Sequence, residues 1–166
     1  MASVEDIGID LGSSNVLICE RGKGIVLNEP AVLAVNHDTR NIISIGQEAY
    51  QMMGREPAGI SVVRPLRRGT IQDFDMLSIL LNYFVMRVVG KHLFNRPRAL
   101  LSVSATANEI EKRQLILGML EAGARRTQLL ERPLAAAMGA GILINEVSGR
   151  MVADIGGATT DIAVIS

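Results

Sequence analysis

The strongest constraint on this chain is a stretch that occurs twice, as DIGIDLGSSNVLICE over residues 6–20 and, more loosely, as MVADIGGATTDIAVI over residues 151–165. In both, an apolar run meets an Asp, an apolar residue, a Gly, small or hydroxylated residues and a second apolar run. Asp10 and Asp154 hold equivalent places. Gly12 and Gly156 lack a Cβ and can take positive φ, so a turn there can bring backbone N–H groups up to an anion. A carboxylate at the strand end suits hydrated Mg²⁺, which prefers oxygen ligands and keeps several waters. One such hairpin is equally a plain strand end with a tight turn. Two of them facing across a cleft form a nucleotide clamp.

The bulk numbers narrow the function classes. A chain of 166 residues holds one good core and a small subdomain. Lys+Arg and Asp+Glu balance at 17 each, aromatics are 3% and Trp is absent, which argues against nucleic acid as a partner. Hydrophobic residues at 48% and a mean hydropathy of +0.27 leave apolar surface that needs a core or a partner. The single Cys19 lies in the run VLICE and is expected to be a buried, inert thiol. The start MASVEDIGID has neither a basic nor an apolar leader region, and no apolar run approaches membrane-spanning length, so a cytoplasmic location is expected. His37 and His92 lack metal-ligand spacing, so zinc is not expected, and no Ser-His-Asp or Cys-His pairing has positional support.

Along the chain, residues 6–36 read as an antiparallel meander punctuated by Gly12, Gly22, Gly24 and Pro30. Residues 37–72 read as a small insert with short strands and a helix over 47–53. Its exit carries Arg64, Arg67 and Arg68, expected to form a solvated or interface face and not a phosphate site. Phe74, Leu77, Leu81, Phe84 and Val88 fall on one stripe, which predicts a helix over 73–89 packed on more than one side. Leu93 and Phe94 stand as an apolar pair among Lys91, His92, Arg96 and Arg98. They either plug the end of the core or touch a membrane. A strand over 98–103, a helix opened by a capping box at Thr106 and Glu109, a strand over 127–130 and a short helix after Pro133 complete an α/β alternation.

The stretches IGIDLGSSN, GKGIVLNEPAVLAV, VVRPLRRGTIQDFD, EKRQ with EAGAR, RPLAAAMGAGI and DIGGATTDIAVIS, in this order, make the chain resemble the MreB family of bacterial actin-like proteins. That family belongs to the actin, heat-shock chaperone and sugar-kinase superfamily. The resemblance implies an α/β actin-like ATPase fold of ribonuclease H type, a mixed sheet flanked by helices with a small inserted α/β subdomain. It places the larger subdomain of a first lobe at residues 1–32 and 74–145, the insert at 33–73, and the first hairpin of a truncated second lobe at 146–166.

The resemblance also implies ATP and Mg²⁺ as cofactors. Asp10, Gly12, Ser13, Ser14 and Asn15 are then the phosphate and metal contacts of one hairpin, and Asp154, Gly156, Gly157 and Thr159 those of the other. Asp10 and Asp154 would hold Mg²⁺ through water. Implied partners are further copies of the chain or full-length MreB-like subunits in filaments, the inner membrane surface through Leu93 and Phe94, and the cell-wall elongation machinery. The role would be rod-shape determination at the inner face of the cell membrane.

Three departures bear on that expectation. The chain stops about halfway through the family's length. Arg132 stands where the family has a Glu that positions the attacking water, and a guanidinium has no acceptor atom with which to do so. Ala158 replaces a Gly, whose missing Cβ matters if that position needs positive φ or very close approach of the phosphate. Ser13 for the usual Thr keeps a hydroxyl. The alternative reading is a shortened, non-hydrolysing paralogue that docks on full-length filaments, and ATP turnover is left open.

Overall fold

The computed structural model describes residues 6–90, 96–144 and 149–165. The chain opens with β1 (Asp6–Leu11), β2 (Asn15–Glu20) and β3 (Gly24–Pro30), an antiparallel meander. Next come β4 (Leu33–Asn36), β5 (Ile42–Ile45), α1 (Gln47–Met52) and β6 (Ile60–Val63), with β4 central between β5 and β6. A two-residue ladder of β7 (Leu66–Arg67) and β8 (Thr70–Ile71) leads into α2 (Phe74–Val89). Then follow β9 (Arg98–Val103), α3 (Glu109–Glu121), β10 (Arg126–Glu131) and α4 (Arg132–Gly139), and finally the hairpin β11 (Arg150–Ile155) with β12 (Thr160–Ile165).

The main sheet runs β10-β9-β1-β2-β3. β1, β9 and β10 are parallel and the meander is antiparallel, so the sheet is mixed. Parallel neighbours need crossovers, and α3 supplies the one between β9 and β10. Period-2 alternation sends Ile7, Ile9, Leu11, Val16 and Ile18 to one face, where they meet Leu77, Leu81 and Phe84 of α2. The same alternation turns Cys19 outward beside Gly8 on the opposite face. The thiol is therefore exposed, contrary to expectation, because an unbroken apolar run conceals which of its members face the core.

The insert is walled on both sides. Val32 and Ala34 pack with Ala49 of α1, whereas Leu33 and Val35 belong to the main core with Phe84. Gly46 sits at the N-cap of α1 with φ 70°, and a Cβ there would meet the Glu29 carboxylate and the Phe84 ring. Glu29 accepts from the Gln47 backbone N–H at 2.8 Å and from Arg87 Nη1 at 2.9 Å, tying β3, α1 and α2 together.

Helix ends follow local chemistry. The Asp73 side chain accepts from the Met76 N–H at 3.0 Å and starts α2. For α3 the capping box is Asn108 with Glu111, two residues later than expected. Thr106 is held instead by Ser104, whose Oγ accepts its N–H and whose carbonyl accepts that of Ala107. No described helix is long and apolar enough to cross a membrane.

Candidate functional site

The two sequence copies fold into the same turn. In the first, Leu11 pairs with Val16 and the Gly12 N–H donates to the Asn15 carbonyl at 3.0 Å. In the second, Ile155 pairs with Thr160 and the Gly156 N–H donates to the Thr159 carbonyl at 2.8 Å. Asp10 and Asp154 each lie one residue before the strand end. Neither Gly12 nor Gly156 takes positive φ. Their need for glycine is steric, since a Cβ would lie 2.9 Å from the Asn15 carbonyl oxygen and 3.1 Å from that of Thr159. Ala158 is exposed and likewise outside the left-handed region, so its methyl brings none of the strain that the sequence reading considered.

The hairpins face one another. A Cβ on Gly157 would collide with the Ser14 hydroxyl, so the two tips touch where Ser14 meets Gly157. The first tip is also held from the insert. Arg64 Nη1 donates to the Ser13 carbonyl at 2.9 Å and to that of Ser14 at 3.3 Å. The Gly69 N–H donates to Ser13 Oγ at 3.2 Å. Arg68 (φ 51°) and Gly69 (φ 75°) turn β7 into β8, and positive φ at both central positions aims that N–H. Arg64 is thus not part of a solvated face, whereas Arg67 and Arg68 are exposed as expected. The Asn15 side chain donates to Asn28 on β3 at 2.8 Å. Thr159 faces Gly69. Leu93 and Phe94 lie outside the described residues.

At the base of the clamp stands Arg132, the first residue of α4, its side chain 13% exposed. Its Nη1 donates to Asp161 Oδ2 at 3.0 Å and its Nη2 to the Leu11 carbonyl at 3.2 Å. Its Nε stands 3.6 Å from Asp10 Oδ1 and 3.8 Å from Asp154 Oδ2, ion-pair rather than hydrogen-bond distances. Two hydroxyls at the end of β9 complete the cluster: Ser102 donates to Asp10, and Ser104 donates to Asp161 at 2.8 Å. Glu131, the neighbour on the chain, is exposed. Sequence reasoning brought out Asp10, Asp154 and Arg132 but gave no role to Ser102, Ser104 or Asp161. The available signal was an acidic residue directly before the apolar run Ile162–Ile165 of the second hairpin.

The residues present do not fit Mg²⁺ between Asp10 and Asp154. Both carboxylates face the Arg132 guanidinium, whose Nε stands 3.6 Å from Asp10 and 3.8 Å from Asp154. Arg132 is a donor on every side and has no lone pair with which to orient water.

The mixed sheet, its two-helix cover, the walled insert and the paired hairpins define an actin-like α/β fold. A crystal structure of MreB 5 of Spiroplasma citri bound to AMPPNP superposes with a TM-score of 0.89 at 36% identity, over 100% of this chain and 50% of that one. The MamK double helical filament shares the fold alone, with a TM-score of 0.80 at 22% identity. The chain belongs to the MreB/Mbl family, whose model matches residues 4–166. It is 45% identical to the cell shape-determining protein Mbl of Bacillus subtilis (strain 168) over 161 residues, covering 97% of this chain and 48% of that protein. It is 42% identical to the cell shape-determining protein MreB of Escherichia coli (strain K12) over 166 residues. The chain thus spans about half the length of the curated relatives it matches.

Proposed function

We propose that this chain carries the first lobe of a nucleotide-binding, filament-forming cytoskeletal subunit that works at the inner face of the cell membrane and guides cell-wall synthesis and rod shape. The observation that carries the reading is the duplicated turn, with its matching Gly12–Asn15 and Gly156–Thr159 bonds at the positions where the sequence repeats. Nucleotide-bound MreB 5 supports it by similarity. Residues 1–32 and 74–145 form the larger subdomain, 33–73 the insert and 146–166 the start of the second lobe. Backbone N–H groups of the Gly12–Asn15 and Gly156–Thr159 turns receive the phosphates of ATP, which enter by parting Ser14 from Gly157. Leu93 and Phe94 supply membrane contact, and copies of the chain or longer MreB-like subunits are the filament partners.

A second reading is favoured by Arg132 and its three carboxylates: a non-hydrolysing module that docks on longer MreB-like filaments. Titration with a fluorescent ATP analogue, beside Gly12→Val, tests the first. Saturable binding that the variant weakens about tenfold or more, equivalent to about 1.4 kcal/mol, supports it. Absence of saturable binding by the parent chain, together with co-pelleting only on longer MreB-like filaments, supports the second. Flotation on anionic liposomes, with Leu93→Glu/Phe94→Glu as comparison, reads the membrane claim, and equal flotation overturns it.

A further inference from the structure

Arg132 is the residue whose surroundings are least like an ordinary surface arginine. It sits with its side chain 13% exposed, and the carboxylates of Asp10, Asp154 and Asp161 converge on it from β1, β11 and β12. These strands come from both copies of the repeated hairpin, so one side chain on α4 joins the two halves of the clamp. Its Nη2 also holds the Leu11 carbonyl immediately before the first phosphate-type turn. Three carboxylates so close together repel one another unless a cation stands among them.

We infer that the Arg132 guanidinium is the resident cation of this site and holds its carboxylates in place of a divalent metal. The inference goes beyond the nucleotide reading and holds whether or not the site takes a nucleotide. A divalent ion placed on Asp10 and Asp154 would stand against the guanidinium, and like charges at such a distance disfavour joint occupancy. The cation is covalently tethered, so it cannot be diluted away or chelated. Closure of the two hairpins then depends on an intramolecular ion cluster and not on the metal concentration.

The arrangement is also directional. A guanidinium is planar and donates along fixed axes, and here one edge serves Asp161 while another serves the Leu11 carbonyl. The octahedral shell of Mg²⁺ keeps several waters and would not reproduce that geometry. Anions approaching the clamp meet a cation already neutralised by carboxylates. Phosphate recognition is therefore left to backbone N–H groups of the turns, without a metal bridge.

The test is Mn²⁺ titration of the nucleotide-free chain, followed by electron paramagnetic resonance of free Mn²⁺, with Asp154→Asn, Arg132→Gln, Arg132→Met and Arg132→Gln/Asp154→Asn alongside. The parent chain is expected to show no saturable Mn²⁺ site. The folded Gln or Met variant, with three unpaired carboxylates, is expected to gain one, at least about tenfold tighter than any binding by the parent. The added Asp154→Asn change should remove the gain. Circular dichroism establishes which variants are folded. Saturable binding of one Mn²⁺ by the parent chain, abolished by Asp154→Asn, overturns the inference even if both Arg132 variants fail to fold. A folded Arg132→Gln or Arg132→Met that gains no site overturns it as well.

Discussion

Asp6 shows how one half-buried carboxylate ties distant parts of this chain. It accepts from Arg98 at 2.6 and 2.7 Å and from Arg21 at 3.3 Å, linking the first strand to its parallel neighbour and to the turn after β2. The hydrogen bond from the Arg98 guanidinium holds the Asp6 carboxyl below the usual carboxylate range, against an opposing push from desolvation. A carboxyl with a lower folded than unfolded pKa adds stability above its ordinary value and loses it as pH falls through the folded value. Asp6→Asn should therefore flatten the acid limb of the stability curve and leave a smaller difference between neutral and acid urea midpoints. An unchanged difference would show the pairing to be thermodynamically silent. Residue identity made Asp10, Asp154 and Arg132 legible in the sequence. Their meeting was not legible, since Arg132 contacts Leu11 across 121 positions and Arg64 contacts Ser13 across 51. Nothing in local pattern reports such distances.

Elements were read best where periodicity is strong. The apolar stripe from Phe74 defines α2 to within a residue, and the structure adds the Asp73 cap. At α3 two overlapping cap signals compete two residues apart. Asn108 takes the role because Ser104 already engages the Thr106 N–H. Asn108→Ala removes the acceptor for the Glu111 N–H and half of a reciprocal box, at a cost of about 1 kcal/mol. Thermal unfolding should fall by about 2–4 °C in a chain of this size. The same loss on Thr106→Ala instead would restore the earlier cap. The ladder of β7 and β8 escaped the sequence reading because two residues per strand give no alternation to detect. Yet it aims Gly69 at Ser13, a contact of the candidate site made by an element too short to see in advance.

For the molecule as a whole, the decisive feature is that β4 has no free face. Phe84, fully buried on α2, meets the main sheet and the start of α1, so the insert and the main core share one contact network. Phe84→Ala should cost about 3–5 kcal/mol, from lost transfer energy and the cavity left behind. Urea unfolding followed by circular dichroism should remain a single transition, and two separated transitions would show that the insert melts alone. The meander and the insert were legible because hairpin grammar gives way to strand–helix alternation at identifiable residues, whereas the mixed sheet was expected only from the family resemblance. Their shared wall was not, because a short run such as Ala31 to Val35 looks the same whether one face or both are covered. That wall, with the grip of Arg64 on Ser13 and Ser14, makes the insert a lever arm. A force applied to its outer strands by a neighbouring molecule is carried through a stiff joint to the Ser13–Ser14 tip, so pulling on the one is felt as strain in the other.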